Sequence, residues 1–195
     1  ALPIYAAGRL QDMALGIECL LAEEETRALE LASRLDELNK ERRIIETQMK
    51  EQALFNINQL INAIEKGQHL PVAICLMDKA WHQGVIGILA GRLKERYHRP
   101  TIIFAQVNDH ELKGSARSVS SVNIRDILAA VDRDHPTLIN KFGGHAMAAG
   151  LSIHPAAFSD FQQAFLKEVE KYLEPSACVG RLLTDGALSE DDFNL

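Results

Sequence analysis

The sequence predicts an α/β protein, a long connector helix followed by a domain with a mixed β-sheet flanked by helices. Three observations carry that expectation. Residues 23–66 contain neither proline nor glycine and are rich in Leu, Ala, Glu, Lys, Arg and Gln, all good helix formers. Beyond residue 70, short apolar runs alternate with helical patterns, as in layered α/β domains. Of the 195 residues, 47% are hydrophobic and 25% charged, the balance of an ordinary globular protein.

The elements follow in order. Leu2–Leu10 contains AAGRL, read as a small-residue turn ending in Arg9, and an apolar helical run continues through Leu15, Ile17, Leu20 and Leu21. In the long segment, Leu31, Leu35, Leu38, Arg42, Ile45, Met49, Gln52 and Asn56 fall at alternating spacings of four and three, a stripe along one helix. Its forty or so residues would reach about 60 Å. Arg42, Gln52 and Asn56 spoil a coiled-coil seam, which favours a connector within the molecule over a dimerisation helix. KERR at Lys40–Arg43 reads as a solvated face, and Gly67 as the cap that ends the helix.

From Leu70 the pattern changes. PVAICLM at Pro71–Met77 and PTIIFAQV at Pro100–Val107 are continuous apolar runs of the kind found in doubly buried strands, with a helix over Gln83–Tyr97 between them. Leu112–Val119 is a third strand after a polar turn at Asn108–His110, Ile124–Val131 a helix, Leu151–Ile153 a strand and Phe158–Leu173 a closing amphipathic helix. Cys178–Asp185 reads as the first strand of a further, truncated domain. The absence of an initiating methionine and the acidic residues Glu190–Asp192 near the end suggest a piece of a longer protein.

Three cysteines, odd in number and without a CxxC pair, indicate neither a disulfide framework nor a zinc site and suit a reducing cytoplasm. No run of about 18 apolar residues suggests a membrane span. The net charge is −6, but it is unevenly spread: residues 80–145 carry 9 basic and 6 acidic side chains, against 8 and 12 in residues 1–66 and 3 and 8 in residues 146–195. A local groove for a polyanion is compatible with that distribution.

The chemistry-bearing residues lie in that basic stretch. Lys113, Ser115 and Arg117 alternate along a predicted strand, so their side chains share one face. A guanidinium, a hydroxyl and an ammonium together suit a terminal phosphate; polar alternation on a half-exposed strand is the plainer alternative. In KFGGHAMAAG, Lys141–Gly150, the pair Gly143 and Gly144 is expected to present backbone amides at positive φ, as phosphate-cradling loops do, with His145 entering a short helix. A simple turn with a packed histidine is the alternative there. Gly84, Gly87 and Gly91 are expected to let their helix approach the sheet closely. Trp81 and His82 precede that helix, where stacking on a base and ordinary capping are not separable by pattern. Of the seven histidines, His69, His98, His110, His135 and His154 lack a clustered acidic partner at ligand spacing, and there is no HxxxH or DHH triplet, so no metal site is expected in this chain.

WHQGVIGILAGRLKERYHRP at Trp81–Pro100, KGSARS at Lys113–Ser118 and KFGGHAMAAG, in that order, resemble the DHHA1 domain of the RecJ family of single-strand-specific exonucleases. The resemblance runs from about Ala6 to the C-terminus. It divides the chain into 1–22, the end of a DHH catalytic domain; 23–67, the connector helix; 68–175, the DHHA1 domain; and 176–195, the start of an OB-like domain.

The same resemblance implies a 5′-to-3′ exonuclease acting on single-stranded DNA in repair and recombination. Arg9, Ser115 and Arg117 would hold the 5′ phosphate and Gly143, Gly144 and His145 the backbone near the scissile bond, with His82, Lys113 and Ser118 as further candidates. Pro3 and Tyr5 stand where relatives usually carry Arg and Asn. Hydrolysis in the family uses Mn2+ or Mg2+ ions held by a DHH domain, so no catalytic residue is expected here and the chain alone should be inactive. Single-strand-binding protein and a RecQ-type helicase are the implied partners. A phosphodiesterase for oligonucleotides or cyclic dinucleotides, and a non-catalytic DHHA1 module that binds nucleic acid, are the alternatives; relatives of the latter generally lack the Ser-x-Arg pair.

Overall fold

The computed structural model describes residues 3–63 and 71–173, together with Gly186. Two short helices, α1 (Ile4–Leu10) and α2 (Ala14–Leu21), precede the long helix α3 (Glu25–Ala63). The domain that follows runs β1 (Ile74–Asp78), α4 (Ile86–Tyr97), β2 (Thr101–Asn108), β3 (Glu111–Arg117), α5 (Ile124–Asp134), β4 (Lys141–His145), β5 (Ala148–Ile153) and α6 (Phe158–Glu170). The predicted fold class holds: a long helix, then a mixed sheet with helices on both faces.

The five strands are ordered β1-β2-β3-β5-β4. β1 and β2 are parallel, joined through α4, and the remaining pairs are antiparallel. One face is covered by α5 and α6, where Phe104, Phe161 and Phe165 are fully buried and the Phe104 and Phe161 rings meet edge to face at 5.5 Å. Gly114 makes room for that packing, because a Cβ there would lie 2.5 Å from the Phe104 ring and 2.6 Å from Leu151. The other face carries α4 over the β1–β2–β3 half, with Leu89, Leu93, Ile103 and Trp81 in its core. The β5–β4 half of that face is left for the cleft described below.

The stripe on α3 is satisfied inside the chain. Leu35 and Leu38 pack on Ala6 and Ala7 of α1, and Met49 and Ala53 join the core beneath α4. Two of its polar members, Arg42 and Gln52, are paired with named neighbours. Arg42, buried, donates to Asn39 Oδ1 and at 2.6 Å to Glu46, so KERR is solvated only at its other three positions. Gln52 donates to Asp78 Oδ2 at 2.6 Å and accepts from the Trp81 indole at 3.0 Å, tying the helix to the sheet domain.

Three expectations are corrected. AAGRL is helical, not a turn: Ala6 and Ala7 are small enough for α1 to lie flat against α3, and Arg9 sits in its last turn. The helix expected from Gln83 begins at Ile86, after a turn closed by the Gly84 amide donating to His82 Nδ1. KFGGHAMAAG contains no short helix; it is the β4–β5 hairpin, turning at Ala146 and Met147, whose carbonyls accept from Ile124 and Ser118. Gly67 and the OB-like segment lie outside the described residues.

Candidate functional site

Strand register assembles the site. Residues paired across neighbouring strands project to the same face, so three rows cross the sheet under and beside α4. One row is Thr101, Arg117, Ala148 and His145; the next is Ile103, Ser115, Gly150 and Gly143; the third is Ala105, Lys113, Ser152 and Lys141. In the middle row the two glycines leave the floor bare beyond Ser115. A cleft of about 540 Å³ opens there, lined by Lys113, Ser115, Arg117, Lys141, Gly143, Gly150 and Ser152 from the sheet, Gly84 and Gly87 from the α4 region, and Arg9 from α1.

Arg117 is the half-buried centre. Its guanidinium donates to Ser115 Oγ at 3.2 Å and to the Ala116 carbonyl at 2.7 Å, so the pair predicted from alternation is physically one unit. Gly87 packs closely above it: a Cβ would stand 3.0 Å from Ser115 Oγ and 3.1 Å from Arg117 Nη2, close enough to push one of them aside. Arg9 reaches the same place because α1 ends against the turn before α4. Its Nη1 donates to the Gly84 carbonyl at 3.3 Å, and a Cβ on Gly84 would lie 1.9 Å from the Arg9 carbonyl oxygen.

Burial, and then the neighbouring Arg9 cation, lower the pKa of Arg117 from its ordinary value. Neither arginine has a carboxylate partner among the described residues, whose ion pairs lie elsewhere. Two cations held together without a counterion form a site that an anion relieves.

The other candidates divide. Lys113 lines the cleft, its ammonium donating to Gln83 Oε1 at 3.2 Å. Gly143 lies on the floor, with nothing within 4 Å of where a Cβ would stand. Gly144 faces the opposite side of β4 and is the one residue of the pair at positive φ, +149°. His145 is exposed in the Arg117 row but does not line the cleft. His82 accepts the turn hydrogen bond and also lies off the lining. Ser118 is fully buried, its hydroxyl donating to the Val122 carbonyl at 2.6 Å; it locks the turn after β3 rather than facing a ligand. Gly91 has open space where packing was expected.

Lys141, Gly150 and Ser152 were missed. The signal was in the sequence: Lys141 and Gly143 alternate just as Lys113 and Ser115 do, but only if the segment is read as a strand.

A divalent cation does not fit this cleft, whose lining offers Arg9, Lys113, Arg117 and Lys141 and no carboxylate. Among the described residues no group of three or more His, Cys, Asp or Glu is placed to hold a metal ion, and no helix is long and apolar enough to cross a membrane.

Residues 69–174 match the DHHA1 domain family, and the chain belongs to that family. Within it, the chain is 48% identical over 192 residues to the single-stranded-DNA-specific exonuclease RecJ of Haemophilus influenzae, covering 98% of this chain and 33% of that protein. It is 44% identical over 193 residues to the RecJ of Escherichia coli, with the same coverage of each. The chain thus spans about a third of the length of these relatives. The crystal structure of Thermus thermophilus RecJ in complex with Mg2+ superposes with a TM-score of 0.75 at 28% identity, over 90% of this chain and 25% of that one. A structure of exonuclease RecJ bound to manganese gives 0.74 at 28%, over 91% and 41%.

Proposed function

We propose that this chain is the substrate-holding part of a 5′-to-3′ single-stranded-DNA-specific exonuclease, with the cleft seating the 5′-terminal phosphate. The observation that carries the reading is the convergence of Arg9, Ser115 and Arg117 on a glycine floor with no carboxylate. Guanidinium groups bind phosphate oxygens in paired hydrogen bonds, and Ser115 offers a further donor. Gly143 and His145 on β4 continue the surface away from Arg117 and serve the backbone or nucleotide nearer the bond to be cut, while Gly144, on the other side of the strand, shapes the backbone that presents them. The Mn2+ or Mg2+ ions and the attacking water belong to residues outside this chain, so the chain by itself releases no nucleotides. In the cell the reading implies DNA repair and recombination in the cytoplasm, alongside single-strand-binding protein and a RecQ-type helicase.

The test is binding of 5′-phosphorylated against 5′-hydroxyl single strands. The phosphorylated strand should bind about tenfold or more tightly, the scale of a charge-assisted contact, and Arg117→Ala should remove that preference. Equal affinity of the unaltered protein for both strands overturns the assignment, and metal-dependent release of nucleotides by the purified chain overturns the division of labour.

A further inference from the structure

The cleft has a second cationic end that the terminal-phosphate reading leaves unused. Lys113 lies four residues from Arg117 along β3, about 13 Å at the usual rise of a strand. Across the sheet, Lys113 and Lys141 both pair with Ser152, from opposite sides, so their backbones stand about 10 Å apart, two strand spacings. Ser152 is only 2% exposed, yet it lines the cleft and its hydroxyl takes part in none of the side-chain hydrogen bonds among the described residues. Lys141 is exposed on the edge strand and likewise has no hydrogen-bond or ion-pair partner among those residues. Between this row and Arg117 lie only Ser115 and the two glycines without side chains, Gly150 and Gly143.

A serine hydroxyl open to the cleft, between two lysines on the neighbouring strands and with no acidic residue in the lining, is a site for a second anion. We propose that Lys141, Ser152 and Lys113 bind an internal phosphodiester of the same strand whose 5′ phosphate lies at Arg9 and Arg117, the sugar between them crossing the glycine floor. This assignment rests on the proposed function. It makes the site one that measures a strand rather than a lone terminal phosphate: a 5′ mononucleotide reaches only one end, and a strand with at least one further linkage reaches both. Lys141 is a contributor that also tells a polynucleotide from free inorganic phosphate.

The experiment uses the full chain and short 5′-phosphorylated single strands in which the first or the second internal linkage is replaced by an uncharged methylphosphonate. In the unaltered protein, neutralising one of these two linkages should weaken binding about tenfold, as expected for loss of one charge-assisted contact. In Lys141→Ala the charged strand should bind about tenfold more weakly and the neutralised linkage should then make little difference, with Lys141→Arg restoring both affinity and sensitivity. Ser152→Ala tests the hydroxyl independently of charge and should give a smaller loss at the same linkage. If Lys141→Ala weakens charged and neutralised strands by the same factor, the lysine acts only as diffuse charge and the subsite is overturned. The same strands with a 5′ hydroxyl keep the two readings apart. A lasting 5′-phosphate preference with no response to the neutral linkage removes the second subsite alone, whereas a response to the linkage without a 5′ preference removes the terminal assignment alone.

Discussion

Gly143 and Gly144 are adjacent and look interchangeable in the sequence, yet they face opposite sides of β4. At Gly144 the backbone is at φ +149° and a Cβ would stand 2.4 Å from the Ala148 carbonyl oxygen, so Gly144→Ala should cost about 2–3 kcal/mol of stability, measurable as a lower urea midpoint. Gly143→Ala meets nothing within 4 Å and should leave stability within about 0.5 kcal/mol while weakening strand binding, because its methyl group would stand on the cleft floor. The contrast would separate a glycine needed by the backbone from one needed by the proposed site. Cys75 gives a pH prediction. Burial pushes its thiol far above the usual range, so the folded state keeps it protonated while the unfolded chain ionises it above about pH 9.0. Its stabilising contribution is complete below that value and falls as pH rises, by at most about 1.4 kcal/mol per pH unit. Thermal melts from pH 8 to 10 should show a steeper loss for the unaltered protein than for Cys75→Val. Ser115 and Arg117 were legible from their alternation on a strand. Ser118 was not separable from them, because whether a serine faces a ligand or locks a turn depends on where the strand stops.

At the scale of elements, the joint between α3 and the sheet domain decides where Arg9 lies. The α1 helix rides on α3 through Ala6 and Ala7 against Leu35 and Leu38, and α3 is fastened to the domain by Gln52 between Asp78 and Trp81. The chain has a single tryptophan, which reports on that joint. Gln52→Ala leaves the partly buried indole N–H and the Asp78 carboxylate without this partner, and should cost about 1–2 kcal/mol and shift the tryptophan emission. Binding of 5′-phosphorylated strands should weaken in the same variant, since Arg9 is carried by the helix that Gln52 anchors. The stripe of α3 was legible from its spacing. That Gln52 meets Asp78 and Trp81 was not, because those partners come from the sheet domain and periodicity carries no information about partners across a fold.

At the scale of the molecule, charge is separated rather than summed. A chain of net charge −6 places Arg9, Lys113, Arg117 and Lys141 around one cleft without a carboxylate in its lining. Binding of a single strand should therefore weaken with salt, and removing one phosphate contact by Arg117→Ala should reduce the slope of log affinity against log salt by about 0.7. An unchanged slope in a titration from low to moderate salt would show that Arg117 touches no phosphate. On the proposed function, net repulsion elsewhere on the surface would confine a polyanion to this cleft.

The sequence by itself determined the α/β class, the long helix, the strand bearing Ser115 and Arg117, and the kinship carried by three motifs in order. These are local properties: propensity, periodicity and composition are written in neighbouring residues. Tertiary structure alone decided that Arg9 meets Arg117 across more than a hundred residues, that KFGGHAMAAG is a hairpin rather than a loop into a helix, and that Lys141 and Ser152 join Lys113 in one row. The physical reason is strand register. Which side chains stand side by side depends on hydrogen bonding between distant segments, and two glycines read alone are equally at home in a turn or on a bare stretch of sheet.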